Sequence, residues 1–377
     1  PPSLFGMTVA NAEGGAWPDI PVGAYRVWDN SATWSAIEQA QGQYNWTNLR
    51  NTINTAKANG VTDILMVLAG TPNWATDDPA SGGLAGVLPG AAGIPRDLTW
   101  WDNWVNAVVD NFGNDISAYQ IWNEANLSTF STATPAEMAQ LTKRAYDIIK
   151  RKDPSAQVVA PSTGTRLAGP FKKWYPAYLR ALRDLGWPVD VWAVHTYPAS
   201  LGTPVDRAAL AKMYEQVLRQ GGAPNLPIWD TENNFGLKGP GPQNPDVDIE
   251  GPKAGQWVAR TYLDALDLNM SRVYWYRWEG PNDLWGIQMF NGTVGAQAYK
   301  TLYGWIVGAT YNGCTTKRGN TTCSFTKDGK AFDVIYTQRG NENTFRGLRG
   351  SQVCLLNGTC VPLNAPNYRT AGPVQIK

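Results

Sequence analysis

Ile116-Ser117-Ala118-Tyr119-Gln120-Ile121-Trp122 is a short β-branched and aromatic run. Pro135–Lys152 then spaces its apolar residues as a helix does, and Gln157-Val158-Val159-Ala160 returns to a strand-like run. Strand, amphipathic helix and strand in this order form a βαβ unit, whose crossover makes the two strands parallel. Thr134-Pro135 marks the helix start, an N-cap followed by proline at the first helical position. The rhythm continues outward in both directions. Strands are predicted at Phe5–Val9, Ala24–Trp28, Asp63–Leu68, Val189–His195, Pro227–Glu232 and Arg272–Trp278 as well. Helices are predicted at Trp46–Asn59, with Asn59-Gly60 as a stop, and at Thr99–Asn111, Phe171–Leu185, Arg207–Arg219, Gly255–Leu268 and Val294–Val307. Eight strands, each followed by helix, predict an α/β chain folded as a (β/α)8 TIM barrel. An open doubly wound sheet is disfavoured: Ala10-Asn11-Ala12-Glu13-Gly14-Gly15, after the first strand, lacks the G-x-G-x-x-G spacing of a phosphate loop.

From about residue 309 helical periodicity stops. Ala331–Gln338 and Gln352–Leu356 read as strands between Gly-Asn turns, and all four cysteines fall here. An even count in a small β-rich tail predicts two disulfides and an oxidising compartment. Cys314–Cys323 and Cys354–Cys360 are the favoured pairs, because each closes a short loop. Zinc binding is disfavoured by the absence of paired C-x-x-C spacing. The expected organisation is a catalytic barrel over 1–308 and a disulfide-stapled β appendage over 309–377. Gly236–Pro252, directly after strand seven, is a long loop on the functional face and not a linker.

Composition narrows the function. The 377 residues carry 32 Lys plus Arg against 31 Asp plus Glu, a balance with no long-range pull on nucleic acid. No apolar run reaches the roughly 20 residues of a membrane span. Pro1-Pro2-Ser3 has neither an initiator Met nor the regions of a signal peptide, which points to a mature chain. A single histidine excludes most imidazole-rich metal hydrolases, so no metal or organic cofactor is expected. Eighteen Trp and 16 Tyr exceed what a core of this size needs, and aromatic faces suit sugar rings.

In a TIM barrel the chemistry sits at the C-terminal ends of the strands. Strand four ends in Trp122-Asn123-Glu124 and strand seven in Asp230-Thr231-Glu232. Two glutamates facing each other across a barrel mouth are the arrangement for cleaving a glycosidic bond with retention. The expected cause of their division of labour is mutual: one carboxylate raises the pKa of the other.

These motifs resemble the clan A glycoside hydrolases. The resemblance extends to Arg26 in Tyr25-Arg26-Val27-Trp28, to His195-Thr196-Tyr197 and to the aromatic strand Tyr274-Trp275-Tyr276-Arg277-Trp278-Glu279, over residues 5 to about 308. Gly23–Asp29 followed by Tyr44-Asn45-Trp46 is most similar to family 39. The resemblance implies Glu124 as acid/base and Glu232 as nucleophile. Asn123 would donate to the sugar 2-hydroxyl, Arg26 and Tyr197 would orient Glu232, and His195 would bind a sugar hydroxyl. Trp74 and Trp278 are the expected stacking residues, with Trp28, Trp275 and Trp285 as alternates. Glu279 and Asp29 would bind hydroxyls or pair with Arg277 and Arg26. The chain departs from the clan in having no second histidine, a place Asn73 could fill, and its tail does not look like family 39's large β-sandwich. Of six Asn-x-Ser/Thr sequons, Asn126-Leu127-Ser128 lies beside Glu124, where a glycan would crowd the mouth.

The expectation is therefore a secreted, extracellular retaining glycosidase acting on a plant or microbial carbohydrate substrate, arabinose- or xylose-containing. The loops Thr71–Arg96, with its small-residue rim Ala80–Gly93, and Gly236–Pro252 would shape its cleft. A catalytically inactive sugar-binding barrel is the rival. It would keep the aromatic cleft without needing two facing carboxylates.

Overall fold

The computed structural model describes residues 1–28, 30–81 and 89–377. Eight parallel strands form one sheet: β1 (Phe5–Val9), β2 (Ala24–Val27), β3 (Ile64–Leu68), β4 (Ala118–Ile121), β5 (Gln157–Val159), β6 (Trp192–His195), β7 (Ile228–Asn233) and β8 (Met270–Trp278). Their order is β5-β4-β3-β2-β1-β8-β7-β6. Parallel bridges Val159–Val191 and Gly164–His195 draw the two edge strands together, so the ring is nearly closed. The helices are α1 (Trp34–Ile37), α2 (Thr47–Ala58), α3 (Leu98–Phe112), α4 (Pro135–Lys152), α5 (Ala168–Asp184), α6 (Pro204–Gln220), α7 (Gly251–Asp267) and α8 (Val294–Ile306). Helix α4 begins with a reciprocal capping box between Thr134 and Glu137 and ends in Lys150, Arg151 and Lys152, which favour the negative end of the helix dipole. None of the helices among the described residues is long and apolar enough to cross a membrane.

The structure corrects one expectation: not every strand is followed by an α-helix. After β1 there is only a single 3-10 turn, Ala12–Gly14. Gly14, Gly15, Pro18 and Pro21 leave that connection too poor in helix formers for more.

Inside the barrel, Ala24, Leu65, Ala118, Val159, Val191, Ala193, Trp229 and Tyr274 form a closed apolar layer. A Cβ on Gly6 of β1 would lie 2.6 Å from the Tyr274 ring, so the missing side chain makes room for that phenol. One step towards the C-terminal ends, the same strands carry Arg26 and Gln120, so the interior turns polar on approaching the mouth.

The tail forms a six-stranded antiparallel sheet and a two-stranded one. The first has the order β14 (Cys360–Pro362), β13 (Gln352–Cys354), β16 (Val374–Ile376), β11 (Lys330–Thr337), β10 (Asn320–Lys327), β9 (Thr310–Lys317). The second pairs β12 (Asn343–Arg346) with β15 (Asn367–Thr370). Both disulfides take the expected pairing, Cys314–Cys323 across β9 and β10 and Cys354–Cys360 across β13 and β14. The sheet docks on α7, where Tyr336 donates to Asp264 Oδ1 at 2.8 Å and Arg260 reaches the Gln338 carbonyl at 2.7 Å.

Candidate active site

A regular strand would send Asn123 and Glu124 to opposite faces. Here β4 stops at Ile121, and Trp122 and Glu124 adopt left-handed backbone angles, φ 67° and 42°. The bend lets both side chains line one cavity. It is fastened on both flanks. Trp122 Nε1 donates to the Phe130 carbonyl at 2.8 Å, and the Glu124 amide donates to Ser162 Oγ at 2.9 Å. Gly164 leaves room for this approach, because a Cβ there would lie 3.1 Å from both Glu124 Oε1 and Leu127 Cδ1.

Glu232 stands near the end of β7, and Arg26, fully buried on β2, ties it to β4. Arg26 Nη1 donates to Glu232 Oε1 at 2.6 Å, Nη2 to Asn123 Oδ1 at 2.7 Å and Nε to Gln120 Oε1 at 3.0 Å. Gln120 in turn donates to Thr231 Oγ1 at 3.1 Å. The other carboxylate oxygen, Glu232 Oε2, accepts from the Tyr197 hydroxyl at 2.8 Å. Burial holds Tyr197 well above the usual phenol pKa, so it stays a neutral donor. Beneath it, Asp230 pairs with Arg207 at 2.7 Å and accepts the Thr196 amide at 3.2 Å, which anchors the end of β6.

His195 joins the two glutamates. Its Nδ1 is 3.0 Å from Glu124 Oε1 and 3.5 Å from Glu232 Oε2, so those two oxygens are at most 6.5 Å apart, the two distances laid end to end. Burial lowers the imidazole pKa to about 4, leaving it neutral at pH 7. With two carboxylate oxygens facing Nδ1, the proton belongs there, and Nε2 is left as a buried acceptor with no partner among the described residues. Asn123 Nδ2 is likewise buried without a partner there.

Glu124 is pushed up to about 7. The cause differs from the sequence expectation. Desolvation dominates, while Arg166 and Arg26 pull the other way; the neighbouring carboxylate is not the driver. The folded protein thus holds this proton up to about pH 7, whereas the unfolded chain releases it near 4.5. Stability must fall as pH rises between those values. Glu124→Gln keeps the acceptor for His195 and removes the penalty. It is expected to be more stable than the parent at pH 8 by about 1–3 kcal/mol and nearly equal at pH 4. Denaturant unfolding at both pH values checks this; an equal difference at the two would refute it.

The cavity is about 1030 Å³ and is lined by Trp28, Asn123, Glu124, Arg166, Trp174, His195, Tyr197, Glu232, Leu237 and Tyr276, among others. Several expected sugar contacts lie elsewhere. Trp74 packs edge-on against Trp34 and Trp100, with its Nε1 bonded to the Glu38 carbonyl at 2.8 Å. An aromatic residue just after a strand was drawn outward into the helix layer. Trp278 is buried in the core and absent from the cavity lining, as are Trp275 and Trp285. Glu279 is held by Arg277 at 2.8 Å and by Asn282 at 3.1 Å, the ion-pair alternative. Asn73 bonds to the Pro89 carbonyl at 3.2 Å and pins its own loop. Asp29 and residues 82–88 of the Ala80–Gly93 rim lie outside the described residues. Asn126 spends its amide on Gly164, at 2.9 Å in each direction, so its sequon nitrogen is buried in a bond. Arg166, Ser162, Gln120 and Trp174 were missed from sequence. Arg166 carried a signal, as a cation just beyond a strand end, and so did Gln120, a polar residue two positions beyond Ala118 of the apolar layer.

The comparisons with known proteins agree with this architecture. The family model described as a glycosyl hydrolase catalytic core matches residues 95–292. No curated protein sequence matches the chain. Among solved structures, a family 39 glycoside hydrolase from the gut symbiont Bacteroides cellulosilyticus WH2 superposes with a TM-score of 0.70 at 18% identity, over 95% of this chain and 76% of that one. A glucosidase from Croceicoccus marinus gives 0.63 at 12% identity, over 99% and 94%. A GH30 endoxylanase from Clostridium papyrosolvens C71 gives 0.60 at 15%, over 99% and 95%. At these identities the structural likeness speaks for the fold, while the family match covers more than half of the sequence. A TIM barrel with two glutamates at one mouth, matched by that core over more than half of its length, belongs to the glycosyl hydrolase catalytic-core family.

Proposed function

We propose that this glycosidase works by double displacement with net retention, with Glu232 as nucleophile and Glu124 as acid/base. The observation that carries the reading is the convergence of both carboxylates on His195 Nδ1 at 3.0 and 3.5 Å. That bound of 6.5 Å includes the ~5–5.5 Å of retaining sites and lies at the lower limit of the ~6.5–9.5 Å of inverting ones, which favours retention.

In the first step Glu124 gives its proton to the glycosidic oxygen. The bond from C1 to that oxygen breaks, and a Glu232 oxygen bonds C1. In the second step the Glu124 carboxylate takes a proton from water, the water oxygen bonds C1, and Glu232 leaves with its electron pair. The Arg26 and Tyr197 donors favour the ionised Glu232 that the first step needs, and burial keeps Glu124 protonated to about pH 7. Departure of the leaving group readmits water, relieving the desolvation that raised Glu124 and readying it as a base. The unpartnered Asn123 Nδ2 and His195 Nε2 are suited to the sugar's hydroxyls. Proton NMR of the first sugar released from an aryl glycoside tests the reading: the anomer formed initially is expected to match the substrate's, and an inverted anomer would overturn it.

Xylose and arabinose remain our proposed transferred sugars, and the endoxylanase among the structural neighbours supports the first. We propose secretion on the strength of two disulfides, which persist in oxidising compartments. We also propose a division at residues 1–308 and 309–377, with the second unit serving as a cover for α7. The Arg260–Asp264 pair and the core side chains Phe325, Val334 and Tyr336 lie at that junction. Deleting 309–377 is expected to cost a large part of the ~5–15 kcal/mol net stability of a domain. Soluble yield and melting temperature of the shortened chain check it; an unchanged melting temperature would refute it.

A further inference from the structure

The two sides of the cavity differ in chemistry, and the difference bears on what leaves. The sugar being transferred sits over Glu232. The departing alcohol lies on the side of Glu124, which protonates it; here the inference rests on the hydrolase reading above. On the Glu124 side, Leu127 and Phe130 follow it in the chain, Leu167 and Trp174 follow Gly164, which packs on its carboxyl, and Arg166 bonds the Leu237 carbonyl; Leu284, 41% exposed to solvent, lines the same cavity.

Ser128, Thr129 and Lys173 also line the cavity, and the other polar groups on this side are already engaged. Asn126 is bonded to Gly164 through both ends of its amide, and Thr165 Oγ1 donates to the His195 carbonyl at 2.8 Å. Arg166 donates to the Leu237 carbonyl at 2.7 Å and to that of Gly239, fastening the β7 loop over the wall. Trp174 Nε1 is bonded to the Ala133 carbonyl at 3.3 Å, and one face of its ring stacks on Tyr178. Lys238 turns to Asp283 and Asp246 at 3.3 and 3.5 Å. The unpartnered Nδ2 of Asn123, which Arg26 also bonds, and Nε2 of His195, which stands between the two glutamates, serve the reacting centre and not this wall.

A second sugar packed against the leucines would desolvate hydroxyls against aliphatic carbon, each unpaired group weakening binding by roughly 5- to 100-fold. An aliphatic or aromatic alcohol would lose nothing there. The volume of about 1030 Å³ is at the upper end of the ~300–1,000 Å³ range for small-molecule sites, enough for one sugar and a bulky partner. We infer that the leaving-group side is a binding site for an apolar alcohol, and that the preferred substrates are glycosides of bulky apolar alcohols, not chains of sugars.

The test compares n-octyl with methyl glycosides of the same sugar, as β-D-xylopyranosides and α-L-arabinofuranosides, since the two leaving groups have similar acidity. Each buried methylene is worth about four-fold, so three of them raise kcat/KM about 60-fold for octyl over methyl. In a Leu167→Asn/Leu284→Asn double variant this ratio is expected to fall at least about 10-fold. General damage to the fold would lower both rates together and leave the ratio alone. In parallel, 1-naphthol is titrated calorimetrically into parent and double variant, with weaker binding expected in the variant. An octyl-to-methyl ratio near one, with xylo- or arabino-oligosaccharides turned over faster, overturns the inference and spares the hydrolase reading. Naphthol that fails to bind, or binds both proteins equally, also overturns it. Naphthol binding as expected while no glycoside of any kind is turned over supports the apolar site and overturns the hydrolase reading.

Discussion

Glu232→Ala is expected to lose turnover on every glycoside, activated or not, by about 10⁴-fold or more, because no other group can form the bond to C1. Glu124→Ala should behave differently. On substrates with poor leaving groups it loses roughly 10²–10⁴-fold, the worth of a positioned general acid. On aryl glycosides, whose leaving groups need no proton, the first step survives and the glycosyl-enzyme accumulates. Azide, which needs no base, then restores turnover and yields a glycosyl azide of retained configuration. With Glu232→Ala, azide can only occupy the space of the missing carboxylate and attack from that side, so any azide product is inverted. The two products separate the roles by stereochemistry as well as by rate. Normal turnover of a natural glycan by either variant would refute the assignment, and so would an exchange of the two azide stereochemistries.

How far such a site can be read from sequence depends on which residues the strand geometry constrains. Glu124 and Glu232 were legible because eight strand-like runs imply a barrel and a barrel puts its chemistry at the strand ends. The motif around each then narrows the candidates to single residues. Arg26 followed from the same rule, sitting on β2 two residues beyond Ala24 of the apolar layer. The Cys314–Cys323 and Cys354–Cys360 pairs followed from short loops between strands. Trp74 and Trp278 misled because indole rings suit a core as well as a sugar, and nothing in their spacing says which face of the chain they leave from. Trp174 and Leu237 were invisible for a related reason. They reach the cavity from a helix and an irregular loop, whose side-chain directions no period of two encodes. The raised pKa of Glu124 was anticipated, but its origin in desolvation was not. Burial of one carboxyl by Gly164, Leu127 and their neighbours is a property of three loops meeting.

Arg26 carries the second large expected effect. It is fully buried and bonds three separate side chains, Glu232, Asn123 and Gln120, at 2.6, 2.7 and 3.0 Å. Its guanidinium is also 5.8 Å from the centre of the Trp28 ring. Arg26→Met removes the cation and leaves a buried carboxylate uncompensated, a change that destabilises by about 3–5 kcal/mol in comparable buried pairs. Such a loss of stability could by itself account for lost activity, so the informative variant is Arg26→Lys. An ammonium restores the charge beside Glu232, and most of the stability with it. As a compact group on a flexible stem it cannot reproduce the planar fork that reaches Asn123 and Gln120 together. Asn123 then loses the shorter of the two bonds on its Oδ1 and keeps only that from Ser162 Oγ at 3.4 Å, which loosens the aim of the Nδ2 donor offered to the sugar. Arg26→Lys is therefore expected to fold, with a melting temperature close to the parent's, yet to lose about 10- to 100-fold in kcat on glycosides bearing a 2-hydroxyl, as removal of a transition-state hydrogen bond does. On the matching 2-deoxy glycosides, which offer Asn123 nothing to bind, the loss should largely vanish. Measuring kcat for both sugars in parent and lysine variant decides the point: equal losses on the two would mean that Arg26 acts through Glu232 alone.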